Sequence, residues 1–374
     1  MNYFYLFVIS FALCACQPKK QSKISTNANI NLTYAKGFSY EKHSKYTKIT
    51  VHTPYKNATT PYEYLLVKGD TVITPTQPNQ FVIQLPIQNL IATSTTQIPV
   101  FEALESESLL KGFPNTRFVS SKKTRTLIDK GGIVDVGQNE AMNTELILGL
   151  QPDVLFAFAV DQLNKSFTTL KKAGIPLVVD ASWLEESPLG RAEWIKFFAL
   201  FLDKEKEANT VFQQIEVSYT TALKSIQKDN SKPKILYGSM FNGIWYAPAG
   251  ESYVAKILND AQTDYLWKNT LGTGSLSLQF EQVFIEANQS DFWLAPGVAV
   301  DLETLKNQNK HYAQLKPFQN KKVFTYTNTT GATGGFLFFE LSALRPDLVL
   351  KDVIKICHPN TLPAYETTFF KQLE

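Results

Sequence analysis

The sequence predicts an α/β protein built from two Rossmann-like lobes joined by a single long linker helix, with a small β-rich extension on the N-terminal side. Three observations predict it. From Asn89 onward, short apolar runs alternate with helical stretches, the signature of parallel sheets with helices on their faces. One long amphipathic stretch, residues 203–228, interrupts that series near its middle. Before it, residues 46–53 alternate with period two, as a half-buried strand does.

The extension is expected over residues 33–88. Tyr46, Lys48, Thr50 and His52 alternate with Thr47, Ile49, Val51 and Thr53, and further β-rich runs follow at 62–67, 71–74 and 81–87. Lys68-Gly69-Asp70 reads as a hairpin turn between two of them. The N-terminal lobe, residues 89–187, is expected to hold strands at 90–92, 117–120, 154–158 and 177–179, with helices at 99–110, 142–150 and 162–173. Linker helices fill residues 188–229. Trp194, Phe197, Phe198 and Phe201 share a helical face, and Asp203 is placed to cap a second helix with the stripe Phe212, Ile215, Tyr219 and Leu223. At about 1.5 Å per residue that helix spans roughly 38 Å, enough to cross between lobes and stiff enough to allow only a small opening. The C-terminal lobe, residues 230–374, opens with a strand at 235–237, continues with strands at 292–294 and 323–325, and closes with a helix at 345–356.

Bulk composition bounds the function. With 374 residues, 44% hydrophobic and 19% charged, the chain can bury a large core. Aromatics at 13% are high, which fits either a Phe-rich core or surfaces that grip a flat, greasy ligand. A net charge of +3 with Lys and Arg scattered gives no footprint for nucleic acid. Only four His, at 43, 52, 311 and 358, speak against a bare-metal site. No Gly-x-Ser-x-Gly elbow, Gly-x-x-x-x-Gly-Lys loop or Gly-x-Gly-x-x-Gly after a strand points to an enzyme.

The first residues set the compartment. Residues 3–13 form an apolar run of signal-peptide length, and Leu13-Cys14-Ala15-Cys16 follows. This resembles a bacterial lipobox with Cys16 as the lipidated residue, so residues 1–16 are expected to be a lipoprotein signal with its acceptor Cys, and 17–32 a solvated tether. The expected location is the periplasmic face of a bacterial membrane. After processing, Cys357 is the remaining thiol, so no internal disulfide can form.

Seven ordered segments carry a family resemblance. They are Ser94-Thr-Thr-Gln-Ile-Pro99, Met142-Asn-Thr-Glu-Leu-Ile-Leu-Gly-Leu-Gln-Pro-Asp153, Gly174-Ile-Pro-Leu-Val-Val-Asp180, Pro188-Leu-Gly-Arg-Ala-Glu-Trp194, Tyr237-Gly-Ser-Met240, Phe280-Glu-Gln-Val283 and Arg345-Pro-Asp-Leu348. Together they resemble the cobalamin and iron-siderophore periplasmic substrate-binding proteins of ABC importers, in their Bacteroidetes lipoprotein form. The resemblance implies a monomer that captures an iron-siderophore, corrinoid or haem between its lobes, holds no cofactor of its own, and delivers the cargo to a permease and ATPase complex. It also implies docking on the permease through one exposed Glu per lobe, here Glu145 and Glu281. The residues' own reading leaves open that both are ordinary acids at helix starts.

Ligand groups are expected on strand-end loops where two lobes face each other. Trp183, Trp245 and Tyr246 are the candidate aromatics, with packing as the alternative for each. Arg191 could grip a carboxylate bidentately, or pair with Glu185, Glu186 or Glu193. The glycines of residues 329–335 would let backbone approach a ligand. Two other classes stay open: an α/β enzyme, and a surface lipoprotein that binds another protein through its extension.

Overall fold

A computed structural model describes residues 32–159, 162–226 and 232–374. The expected signal segment, Cys16 and the tether up to Asn31 lie outside these residues.

The chain folds as two α/β lobes. The N-terminal lobe holds a five-stranded parallel sheet in the spatial order Leu177–Asp180, Val154–Phe158, Leu90–Ala92, Leu110–Phe113, Val134–Asp135. These strands are near-continuous apolar runs because helices cover both faces. The C-terminal lobe repeats the design with Asp264–Tyr265, Lys234–Tyr237, Phe292–Leu294 and Val323–Thr325 in parallel, and Lys371–Gln372 antiparallel at the edge. A three-stranded antiparallel sheet, Ser239–Phe241, Ile244–Pro248 and Ser275–Gln279, grows from its first strand. Gly238 makes that exit possible. Its φ is +108°, and a Cβ there would stand 2.1 Å from the Tyr246 carbonyl oxygen. Gly238→Ala is therefore expected to lower stability by about 2–3 kcal/mol, measured as a fall in the denaturation midpoint of the full chain.

Between the lobes run Pro188–Glu193, Ile195–Leu202 and Glu205–Ile226. The sequence puts Trp194, Phe197, Phe198 and Phe201 on one helical face, but Trp194 itself stands at the break between two helices. Asp203, expected as a cap, instead takes a left-handed conformation (φ 58°) that ends the preceding helix. The long helix has 22 residues, about 33 Å. Its Tyr219 donates to Asp260 at 2.7 Å and its Ser218 to Asp347 at 2.6 Å, which fastens it to the C-terminal lobe.

The extension is a four-stranded sheet of Phe38–Lys42, Tyr46–Val51, Tyr62–Lys68 and Gln80–Leu85. Tyr62–Lys68 and Gln80–Leu85 are parallel, so Lys68-Gly69-Asp70 is not a hairpin turn; the chain travels back along residues 69–79 before pairing. The run at 71–74, expected as a strand, is part of that return. The sheet packs on the linker through aromatic edges: Phe38 lies 4.9 Å from Trp194 and 5.3 Å from Phe197, and Tyr64 lies 5.9 Å from Phe201. Much of the aromatic excess is thus core, each such pair contributing about 0.5–1.5 kcal/mol beyond its area.

Candidate ligand cleft

The C-terminal ends of both sheets face each other, and a cavity of about 470 Å³ opens there. From the N-terminal lobe come residues 93–95 after Leu90–Ala92, Asn115 and Phe118 after Leu110–Phe113, Asn139 after Val134–Asp135, and Phe158 at its strand end. The C-terminal lobe adds Gly334, Gly335, Phe336 and Phe339.

Local chemistry fixes these loops. Ser94 and Gln97 form a capping box, and Gln97 accepts from Thr93 and Ser94 while donating to Asp180 at 3.1 Å. That accounts for the Ser94-Thr-Thr-Gln-Ile-Pro99 segment, with Pro99 in the first helical turn. The Thr116 amide and hydroxyl both donate to Asp135, at 2.9 and 2.8 Å. Burial pushes the Asp135 carboxyl up, but hydrogen bonds from Gly137, Thr116 and Asn115 outweigh it and hold the group below the ordinary carboxylate range. Phe118 follows on this anchored turn, 48% exposed, with the Arg117 guanidinium 4.8 Å from its ring centre. Residues 117–120, expected as a strand, form the end of a 3-10 turn and an extended loop. Asn139 donates to the Thr93 carbonyl at 2.8 Å, and its buried Oδ1 has no partner among the described residues, which leaves an acceptor at the cavity wall.

Further exposed apolar side chains lie on the C-terminal lobe outside the cavity. Phe241 and Tyr246, 66% and 39% exposed, lie on the sheet after Lys234–Tyr237, and Val298 and Val300 follow Phe292–Leu294. Phe339 is half exposed, 4.9 Å from Tyr326.

The expected ligand residues are spread differently. Trp183 is not among the lining residues of this cavity or of a larger one beside the extension; its indole N–H donates to the Ala159 carbonyl and its ring stands 6.2 Å from Phe158, which it backs. Trp245 is corrected outright: it is fully buried, donates to the Tyr237 carbonyl at 3.2 Å, and packs 5.5 Å from Trp293. The period of two in Ile244–Pro248 turns Trp245 inward and Tyr246 out, and Tyr246 sits opposite Ser239 and Ser277 rather than at the cavity. Arg191 is not among the residues that line the smaller cavity. Its guanidinium lies 4.0 Å over the Tyr253 ring, its Nε is buried without a partner, and it makes no ion pair among the described residues. Glu185 and Glu193 are instead committed to backbone N–H groups of residues 33–37. Of the glycines of 329–335, Gly334 and Gly335 line the cavity, and Gly331 and Gly335 also lie against the other lobe. A Cβ at Gly331 would stand 2.6 Å from Ser120 Cα, and one at Gly335 2.7 Å from Ser120 Oγ, so they let the C-terminal lobe approach the N-terminal lobe. Phe118, Asn139, Phe158, Phe336 and Phe339 were not singled out from sequence. The one available signal was the aromatic run after the glycines.

Glu145 and Glu281 are both exposed, each in the first turn of a helix, Thr144–Leu150 and Phe280–Ala287. One turn on, Leu148 and Ile285 are 41% and 71% exposed.

A larger cavity of about 840 Å³ lies between the extension, residues 181–187 and residues 250–269. Its charged groups are largely committed: Lys256 to Asp260, Lys268 to Asp264, Glu251 to the Gly272 amide. Its one phenol ring, Tyr34, donates to Glu216 at 2.7 Å. The smaller cavity has the exposed aromatic faces and the free acceptor.

Known proteins share this architecture. A Methanocaldococcus jannaschii protein named as an uncharacterized lipoprotein is 32% identical over 298 residues, 77% of this chain and 69% of the relative. An uncharacterized protein from the same organism is 26% identical over 75% of this chain and 85% of its own length. Among solved structures, Helicobacter pylori CeuE in a nickel-histidine complex matches with a TM-score of 0.58 at 19% identity, covering 76% of this chain and 87% of that one. A periplasmic heme binding protein from Pseudomonas aeruginosa matches at 0.57 and 16%, covering 77% and 99%. At these identities the two structures speak for the fold alone. A sequence profile described as periplasmic binding protein matches residues 90–330, starting at the first strand of the N-terminal lobe and leaving the extension outside. The chain belongs to the periplasmic binding protein family.

Proposed function

We propose that the protein is the substrate-binding component of an ABC importer, anchored through Cys16, that captures an iron-siderophore or a related corrinoid or haem chelate and hands it to the permease. The observation that carries this reading is the cleft itself: Phe118, Phe158, Phe336 and Phe339 around a few neutral polar groups between two lobes. Flat aromatic faces suit a chelate whose outer surface is organic. Among the described residues no group of three His, Cys, Asp or Glu could hold a metal ion, so the cargo would bring its metal already ligated. Glu140 is the one ionisable side chain among the lining residues, which favours holding over acid-base chemistry. Helicobacter CeuE is named with nickel and the Pseudomonas protein with heme, and both fit the same class of cargo.

Mass spectrometry and visible absorption of protein purified from its native membrane should reveal a co-purifying metal chelate. Turnover of ester, phosphate or glycoside substrates without saturable chelate binding would replace this reading with an enzyme. Within it, Phe118→Ala and Phe339→Ala should each weaken binding about tenfold, the loss of one aromatic face worth about 1.5 kcal/mol, as read by fluorescence titration.

A further inference from the structure

Beside the cavity the C-terminal lobe holds the segment 117–121 of the N-terminal lobe, and its helix Leu337–Leu341 also packs on Thr95–Gln97 and Ile98–Ala103. The segment is held at several points. Thr333 donates its hydroxyl to the Arg117 carbonyl at 2.6 Å, and Gly331 and Gly335 lie against Ser120. Glu340, from the helix Leu337–Leu341, accepts the backbone N–H of Ser120 at 2.7 Å and of Ser121 at 3.0 Å. Glu340 is 1% exposed, so its charge is answered by these two amides at the start of the helix Lys122–Asp129. Its neighbour Phe339 and the clasped Phe118 line the cavity from opposite lobes.

We propose that Glu340 is a positioning residue for cargo: closure of the lobes forms its clasp on Ser120 and Ser121, and the clasp sets Phe118 and Phe339 at the spacing that grips the ligand. The proposal rests on the binding reading above, but the clasp can be measured without any cargo.

The clasp responds to protonation. Burial pushes the Glu340 carboxyl up to about 7 from the ordinary 4.5, against the pull of the Ser120 and Ser121 amides and with the Glu102 carboxylate adding to the rise. The charged groups on the elements packed around it are few. The turn Thr95–Gln97 brings none, Ile98–Ala103 brings Glu102, Thr116–Phe118 brings Arg117, and Lys122–Asp129 brings Lys122, Lys123, Arg125 and Asp129. Lys123 pairs with Glu107 and Arg125 with Asp129, while Glu102 accepts from the Ser121 and Thr124 hydroxyls. With the lobes apart, Glu340 would be solvated and ionise in the ordinary range. Closing then takes up a proton wherever the pH lies between the two values, so closure strengthens as pH falls from 8 to 6 and weakens as it rises through 7.

Hydrogen exchange on the full, unliganded chain tests the clasp. The amides of Ser120 and Ser121 should be protected in the wild type and exchange at least 100-fold faster in Glu340→Ala, with both lobe sheets as protected as before. Unchanged protection at 120–121 in that variant would overturn the proposal. Affinity for a ferric catecholate chelate as probe should rise about tenfold from pH 8 to pH 6 in the wild type, the effect of one proton. In Glu340→Gln, which keeps an acceptor but cannot titrate, the affinity should be flat over the same range. A slope that persists in Glu340→Gln overturns the coupling of clasp to cargo. If the probe fails to bind while the exchange result holds, the cargo reading falls and the clasp stands.

Discussion

Glu193→Ala is expected to cost about 3–5 kcal/mol of unfolding free energy and to loosen the N-terminal extension from the linker. The Glu193 side chain is fully buried, and its two oxygens accept from the amides of Thr33, Tyr34 and Ala35 at 3.1, 2.7 and 2.8 Å. Lys196 adds a fourth partner at 2.6 Å, its ammonium also lying 4.5 Å over the Phe212 ring. Alanine would strand three backbone N–H groups and a shielded cation together. Glu193→Gln keeps the shape and one acceptor and should lose only about 1–2 kcal/mol. Urea denaturation followed by Trp fluorescence reads both variants. Trp194 is 1% exposed beneath Phe38, so a loosened extension should also red-shift emission of the native state. A loss under about 1 kcal/mol for Glu193→Ala, with emission unmoved, would mean the carboxylate is not what holds the extension.

That attachment shows where sequence reading runs out. The lobes were legible because runs such as Val154–Phe158 and Phe292–Leu294 are too apolar to be anything but strands buried on both faces. The long helix was legible from one stripe, Phe212, Ile215, Tyr219 and Leu223, of which the first three are buried and Leu223 is half-buried. Partner choice was not legible. Glu193 lies two residues from Arg191 and reads as its ion-pair partner, yet it serves backbone amides about 160 residues away, while Arg191 turns to Tyr253. Side-chain facing was legible only where the period was applied: alternation along Ile244–Pro248 assigns Trp245 to the core and Tyr246 to the surface, and a search for aromatics alone merges them. Residues 117–120 misled for another reason. Their apolar-polar pattern suits a strand, but Asp135 captures Thr116, and Glu340 of the other lobe captures the amides that a sheet would have used. The cleft aromatics follow from such long-range contacts, which local pattern does not encode.

The second large effect concerns delivery. Glu145→Lys combined with Glu281→Lys is expected to abolish cargo uptake by cells while leaving affinity of the isolated protein unchanged. Both carboxylates are exposed in the first turn of their helices, so each can meet a cation on a partner. They stand on separate lobes, Glu145 after the Asn143 cap of its helix and Glu281 one residue into its own, so a partner that meets both reads the orientation of the whole molecule. Reversing one charge turns one attraction into a repulsion and should slow uptake severalfold; reversing both removes every correctly signed contact of this kind and should leave under about 1% of the rate. Leu148 and Ile285 give each acid an apolar companion one turn away, and a contact of that composition gains from dehydration as well as charge. Salt separates the two contributions: wild-type association with permease vesicles should slow as ionic strength rises, whereas in Leu148→Ala with Ile285→Ala the salt dependence should persist on a weaker complex. Neither acid lines the cavity, so weakened chelate binding in the charge-reversed pair would show that these residues act on the cleft, and normal uptake would show that the permease does not read them.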